Sequence, residues 1–79
     1  MTDYQPINCE FYDLLESAAT RRQRIVIDYR DEAGQSASTT AVIVDVRSKD
    51  GAEYLYADNG VVIRLDRLLA VDGKKLSDF

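Results

Sequence analysis

The sequence lacks histidine and tryptophan, and it contains one cysteine and one proline. Histidine is the commonest general base and metal ligand, so its absence argues against most hydrolytic and metal-dependent enzymes. Cys9 has no cysteine to bridge and no histidine to activate it. No glycine-rich phosphate-binding string occurs either. Carboxylate chemistry stays open, but no motif indicates it, and we predict no enzyme, no metal site and no cofactor.

Long apolar segments are also missing. The longest apolar runs have four residues, whereas a membrane-spanning helix needs about twenty. Met1 to Asp3 is acidic and no apolar leader follows it, which is unlike a signal peptide. A lone cysteine also suits a reducing compartment. These features predict a cytoplasmic protein that does not enter a membrane.

Basic residues are absent from the first twenty positions, which hold four acidic residues. The acidic residues there are Asp3, Glu10, Asp13 and Glu16. The other 59 residues hold ten acidic and ten basic side chains, so the front end accounts for the net charge of −4. Nucleic-acid-binding proteins cluster Lys and Arg against phosphates, and only Arg21, Arg22 and Arg24 form a tight basic group here. The charge pattern favours a basic protein surface as partner over nucleic acid.

What is present fits one small domain over residues 1–79. Asn8 is a good N-cap, and apolar spacing predicts a helix from Cys9 to Thr20 or Arg21. Period-two alternation then predicts five strands. They cover residues 24–30, 39–47, 53–57, 61–65 and 68–71. Hairpin signals such as Asp58-Asn-Gly60 separate them, and Lys74 to Phe79 is predicted to be a loose tail.

The same periodicities predict which side chains share a face. The helix places Phe11, Leu14, Leu15 and Ala18 on one side. The strands align three further sets, which are Ile25, Ile27 and Tyr29, then Val42, Val44 and Val46, then Val61, Ile63 and Leu65. Cys9 is expected to be a semi-buried packing residue. One helix followed by five antiparallel strands predicts a mostly β fold, a small barrel in which closure removes sheet edges. The helix-first order with a tight corner at Asp66-Arg67 is the Sm-like order.

The outer side of the helix carries Tyr12, Asp13 and Glu16, which are neighbours at helical spacing. Most charged helix faces are only solvated, and the residues alone leave that interpretation open beside a binding role. Glu10 in the first turn complements the positive end of the helix dipole.

The front segment resembles a known family. Tyr4-Gln-Pro-Ile-Asn-Cys9, followed by Tyr12-Asp13 with Leu15 and Glu16, is similar to the opening of the Rho-binding antiterminator family (Rof/YaeO type). Two later segments, Glu53-Tyr-Leu55 and Ile63-Arg-Leu-Asp-Arg-Leu68, resemble strands of that family more loosely. The turn at Arg-Ser-Lys-Asp-Gly departs from the family pattern by a local insertion.

The resemblance implies an Sm-like barrel with a leading helix and a bacterial, non-enzymatic protein. Its partner would be the hexameric transcription termination factor Rho. Docking on the RNA-binding N-terminal region of Rho would block RNA access and reduce Rho-dependent termination. The residues expected to bind are Tyr12, Asp13 and Glu16. Arg47 and Lys49 could form a second contact, or only a solvated turn, and Glu10 is a weaker candidate.

Two other functions remain open. A ring-forming Sm-like module would bind RNA directly, and Tyr29, Tyr54 and Tyr56 could then form a platform for bases. More often such tyrosines are half-buried strand residues, and the acidic balance favours that interpretation. The third possibility is an adaptor for another basic protein. The inhibitor is expected to be a monomer when free, and the RNA-binding module a ring.

Overall fold

A computed structural model describes residues 4–79, so Asp3 and the rest of the first three residues lie outside the described part. The described chain is mostly β with one N-terminal helix. The helix α1 spans Cys9–Arg21, and the strands are β1 Arg24–Arg30, β2 Ser36–Lys49, β3 Ala52–Ala57, β4 Val62–Arg64, β5 Leu68–Val71 and β6 Lys74–Lys75. Short 3₁₀ turns cover Leu65–Arg67 and Leu76–Asp78.

Helix α1 begins and ends where the sequence predicts. The Asn8 side chain accepts a hydrogen bond from the Glu10 backbone N–H at 2.7 Å, which satisfies one free donor of the first turn. Phe11 and Leu15 are fully buried, so the predicted apolar stripe is the face that seats the helix on the sheet. At the other end Arg22 adopts a left-handed conformation with φ 51°, and its N–H bonds back to the helix.

The strands form one antiparallel sheet in the order β4-β3-β2-β1-β5-β6. Strand β1 pairs with both β2 and β5, so the first and fifth strands lie side by side. The described chain thus has six strands instead of the five expected, because the tail adds a short one. The sheet does not close, which leaves β4 and β6 as its edges.

Strand β2 differs most from the sequence prediction. It runs over fourteen residues and has an irregularity between Ile43 and Asp45 in its pairing with β3. The prediction that Val42, Val44 and Val46 share one face is wrong. Ala41 and Ile43 are the buried pair, and Val44 is 57% exposed. A bulge shifts the alternation by one residue, so Val46 returns to the core side beyond it.

The core lies between α1 and the concave side of the sheet. Its buried members come from every main element, and the aligned residues Ile25 and Ile27, like Ile63 and Leu65, share the face that is buried. Tyr29 and Val61 pack against it at the margin. Leu65 makes its contact from the 3₁₀ turn and not from a strand.

The C-terminal residues are not the loose tail that was predicted. Asp72 and Gly73 both have positive φ, which is the requirement of a tight type I′ hairpin, and this turn brings β6 back onto β5. The Phe79 ring then meets the Phe11 ring edge-on with centroids 5.2 Å apart. The last residues therefore help to cover the buried face of α1 at Phe11. Within residues 4–79, no helix is both long enough and apolar enough to cross a bilayer.

Candidate protein-binding face

The outer side of α1 presents carboxylates that the described chain does not neutralise. Asp13 and Glu16 are both exposed, and neither forms an ion pair with any residue from 4 to 79. Glu10 is also exposed, and the described residues hold no ion pair for it. Cys9, which was expected to be semi-buried, is exposed as well.

Tyr12 is not simply an outward residue of this face. Its side chain is half-buried and packs against the margin of the core. Burial, followed by the negative charges of Glu53 and Glu16, raises the pKa of the Tyr12 phenol above its ordinary value. The ring is therefore held in place beside carboxylates, which makes it a rigid neutral contact at neutral pH.

Glu53 at the start of β3 joins this face, although the sequence reasoning did not select it. The Tyr4 hydroxyl donates a hydrogen bond to Glu53 Oε1 at 3.1 Å. Burial and this bond raise the pKa of Tyr4 well above the usual phenol value. Both residues lie in segments that carry the family resemblance, and that coincidence is the signal from which the pairing could have been expected.

The residues before α1 are fastened to the 3₁₀ turn that precedes β5. The Gln5 N–H donates to Asp66 Oδ2 at 3.2 Å, and the Arg64 guanidinium bonds both oxygens of Asp66 at 2.6 and 2.9 Å. The same guanidinium lies 6.0 Å from the centre of the Tyr4 ring. These contacts fix the segment that positions Tyr4 against Glu53.

The β2–β3 hairpin holds the two basic candidates. Arg47 Nε lies 2.5 Å from Asp45 Oδ2, and the guanidinium sits 5.3 Å from the centre of the Tyr56 ring. The hydrogen bond from Arg47 holds the pKa of the Asp45 carboxyl below its usual range. Lys49 is exposed near the turn and has no ion-pair partner within residues 4–79.

The structure thus brings Glu16, Glu53 and Asp45 near the Tyr12 ring. Beyond the effect of burial, the negative charges of these three carboxylates all raise the pKa of the Tyr12 phenol. We call Tyr12, Asp13, Glu16 and Glu53 the acidic face. Arg47 is linked to the acidic face through Asp45, to which it donates a hydrogen bond. Among the described residues, no three side chains of the His, Cys, Asp or Glu types gather closely enough to hold a metal ion.

Comparisons of the chain with protein-family models, with curated proteins and with solved structures find no match. The acidic face therefore has to be interpreted from its own geometry, with the family resemblance of the front segment as an expectation beside it.

Proposed function

We propose that this protein inhibits Rho-dependent transcription termination by binding the RNA-binding N-terminal region of Rho through the acidic face. The observation that carries the proposal is the set of unneutralised carboxylates on this side of α1, with Glu16 and Glu53 acting on the Tyr12 phenol and Asp13 exposed on the same helix. The resemblance of Tyr4 to Glu16 to the antiterminator family supplies the name of the partner.

The proposed mechanism is competition for the RNA site. A surface that holds single-stranded RNA combines basic grooves with platforms for bases. Asp13 and Glu16 would take the place of phosphate charge, and Tyr12 would supply a flat contact with a polar tip. Glu53 holds Tyr4 and acts on Tyr12, so it would keep the face in shape while adding negative charge.

Such an interface gains much of its association rate from long-range attraction. Binding should accordingly weaken as salt is added, because the carboxylates are exposed and screened. The protein would have no need of catalysis or of a cofactor. It would act in the bacterial cytoplasm, where the termination machinery works.

The finer description of the fold belongs to the same proposal. The leading helix, the bent antiparallel sheet and the 3₁₀ corner before β5 support an Sm-like domain that has not closed into a full barrel. A ring-forming RNA-binding module would have to pair strand edges between copies. Here β6 pairs with Ala70 and Val71 and covers that part of the β5 edge. The edge strands are also short, which favours a monomer.

The decisive test is capture of Rho by this protein and displacement of RNA from Rho. The double variant Asp13→Lys with Glu16→Lys should remain folded and bind at least about a hundredfold more weakly. Its matched control, Glu32→Lys with Asp78→Lys, makes the same charge change at exposed positions outside the acidic face. Retention of full affinity in the first variant, or equal loss in both, would refute the acidic face as the interface.

Two further measurements separate the alternatives. Light scattering should give a monomer mass, and the free protein should not retain single-stranded RNA on a filter. A ring mass together with RNA retention would instead support the Sm-like RNA-binding module. Failure to capture Rho, with capture of another basic protein that the double variant loses, would identify an adaptor.

A further inference from the structure

A cavity lies where the end of β1 and the turn after it face strand β4. It has a volume of about 300 Å³ and is open to solvent. This is the lower end of the range for small-molecule sites. None of its lining residues belongs to the acidic face. The cavity is therefore separate from the surface that is proposed to bind Rho.

The walls of the cavity carry three guanidinium groups in a chain whose net charge is negative. Arg67 is the informative one. It is half-buried in the 3₁₀ turn and makes no hydrogen bond or ion pair with any residue from 4 to 79. A guanidinium has five N–H donors and carries its charge at all ordinary pH values. The Arg67 guanidinium nitrogens are not shut off from water, so an anion that enters the cavity can reach these charged donors.

The other two arginines are already oriented. Arg64 is held by both oxygens of Asp66, and Arg30 Nη1 donates to the Gly34 carbonyl at 3.0 Å. Arg64 Nε and Nη2 thus serve Asp66, whereas Arg30 uses only Nη1 within residues 4–79 and keeps the other side of its fork for phosphate oxygens.

Two carboxylates also line the cavity, and their positions differ. Asp31 Oδ1 accepts hydrogen bonds from the Ala33 and Gln35 backbone N–H groups, at 2.9 and 3.0 Å, so this carboxylate serves the β1–β2 turn. Glu32 is exposed at the rim and forms no ion pair within the described residues. Glu32 therefore opposes an incoming anion without blocking its path.

Aromatic and aliphatic side chains complete the lining. Tyr29 and Tyr54 are half-buried strand residues, as the sequence predicted, and both line this cavity with Val61 and Ile63. A phenol ring offers a flat surface on which a heterocyclic base can stack. Charge for a phosphate and a surface for a ring thus occur within one small space.

We propose that this cavity binds a nucleoside monophosphate, with the phosphate at Arg67 and Arg30 and the base against Tyr29 or Tyr54. A single nucleotide needs only a few donors, whereas a nucleic-acid strand needs a basic track along its backbone. The proposal is therefore compatible with a protein that does not retain RNA, and it stands or falls independently of Rho.

The test is an NMR titration of the ¹⁵N-labelled protein with AMP. The backbone amides of Tyr29, Val62 and Arg67 should shift, with a dissociation constant of about 0.1–1 mM. Adenosine and inorganic phosphate, titrated separately, should each bind at least about tenfold more weakly than AMP. No shift at roughly 10 mM AMP, or equal affinity for AMP and phosphate, would overturn the assignment.

Three variants make the test specific. Arg67→Ala should weaken AMP binding about tenfold or more, since it removes a charged donor. Arg21→Ala makes the same charge change at an exposed position of the helix outside the cavity and should leave the affinity within about twofold. Glu32→Gln should strengthen binding about threefold by removing repulsion at the rim. Equal loss in both arginine variants, or no gain from Glu32→Gln, would refute the site.

Discussion

The outer face of α1 and the β2–β3 hairpin both combine charged residues with a tyrosine. They differ in whether those charges are paired with an opposite charge nearby. On the hairpin, Arg47 is paired with Asp45 and lies over Tyr56. On the helix, Asp13 and Glu16 have no cation within residues 4–79, and the ring beside them is surrounded by further negative charge. A charge that is neutralised locally is less available to a partner. The comparison therefore ranks the helix above the hairpin as a binding surface.

The largest loss of stability should come from removing the Phe11 side chain, which anchors α1 to the sheet. Phe11 is fully buried and meets Phe79 edge-on. Phe11→Ala should lower the free energy of unfolding by about 3–4 kcal/mol, because a large ring is lost and a cavity remains. Urea denaturation followed by circular dichroism measures this loss.

The matched control for Phe11→Ala is Val44→Ala, since Val44 is an apolar residue that is 57% exposed. That variant should change the free energy of unfolding by less than about 0.5 kcal/mol. Similar losses in the two variants would show that Phe11 does not anchor α1. Partner binding should fall with Phe11→Ala in proportion to the unfolded fraction.

The second prediction concerns the effect of pH on stability through Tyr4 and Tyr12, the two tyrosines near Glu53. Burial and Glu53 raise the pKa of Tyr4, and burial, Glu53 and Glu16 raise that of Tyr12, from an ordinary value of 10.0. The folded state therefore holds both protons more tightly than the unfolded state. This stabilisation is complete below pH 10 and is lost as the pH rises through the folded pKa values.

Denaturation at a series of alkaline pH values measures that loss, and absorbance at the tyrosinate band follows the phenols. Glu53→Gln removes the negative charge while keeping a hydrogen-bond acceptor, so both phenols should ionise at lower pH than in the wild type. If Glu53→Gln left the phenol titration unchanged, the charge of Glu53 would not act on the tyrosines. Asp50→Asn, at the β2–β3 turn, is the comparison for a general change in charge.

The sequence reveals the local structure of this chain better than its curvature. The bounds of α1 follow from Asn8 and from apolar spacing, and the side chains of β1 alternate as predicted. The facing of β2 could not be predicted, because an irregularity between Ile43 and Asp45 changes the alternation without any glycine or proline to mark it. Three valines at period two therefore indicated a shared face that they do not have.

The candidate site was predictable in the same unequal way. Asp13 and Glu16 follow from helix geometry alone, since their exposure depends only on which stripe is buried. Glu53 could not be placed beside Tyr12 from spacing, because the contact joins the helix to a strand forty-one residues later. The cavity at Arg67 is lined by the end of β1 and by β4, which lie far apart in the chain, so spacing gave no reason to expect it.

The third prediction concerns the left-handed residue that ends the helix. Arg22 ends α1 with φ 51°, a conformation that costs less for glycine than for arginine. Arg22→Gly should raise the free energy of unfolding by about 0.5 kcal/mol, as measured by the urea midpoint. Gln23→Gly, at the next position, has no positive φ to relieve and should destabilise. If Arg22→Gly also destabilised, the left-handed cap would not limit the helix end.

The smallest effect on binding should come from the β2–β3 hairpin. This effect tests directly whether the hairpin contributes less to binding than the outer face of α1. Arg47→Ala removes a guanidinium that already bonds Asp45. If local pairing makes the hairpin charge unavailable to the proposed partner, Rho, the affinity should change by no more than about twofold, as is usual for exposed ion pairs. NMR titration of the Asp45 carboxyl provides an internal check, because its pKa should rise toward the ordinary value once Arg47 is gone. Lys49→Ala is the matched variant, since Lys49 has no acid within residues 4–79 to pair with. A tenfold loss with Arg47→Ala would instead place the hairpin in the interface, and the acidic face would then be half of the binding surface.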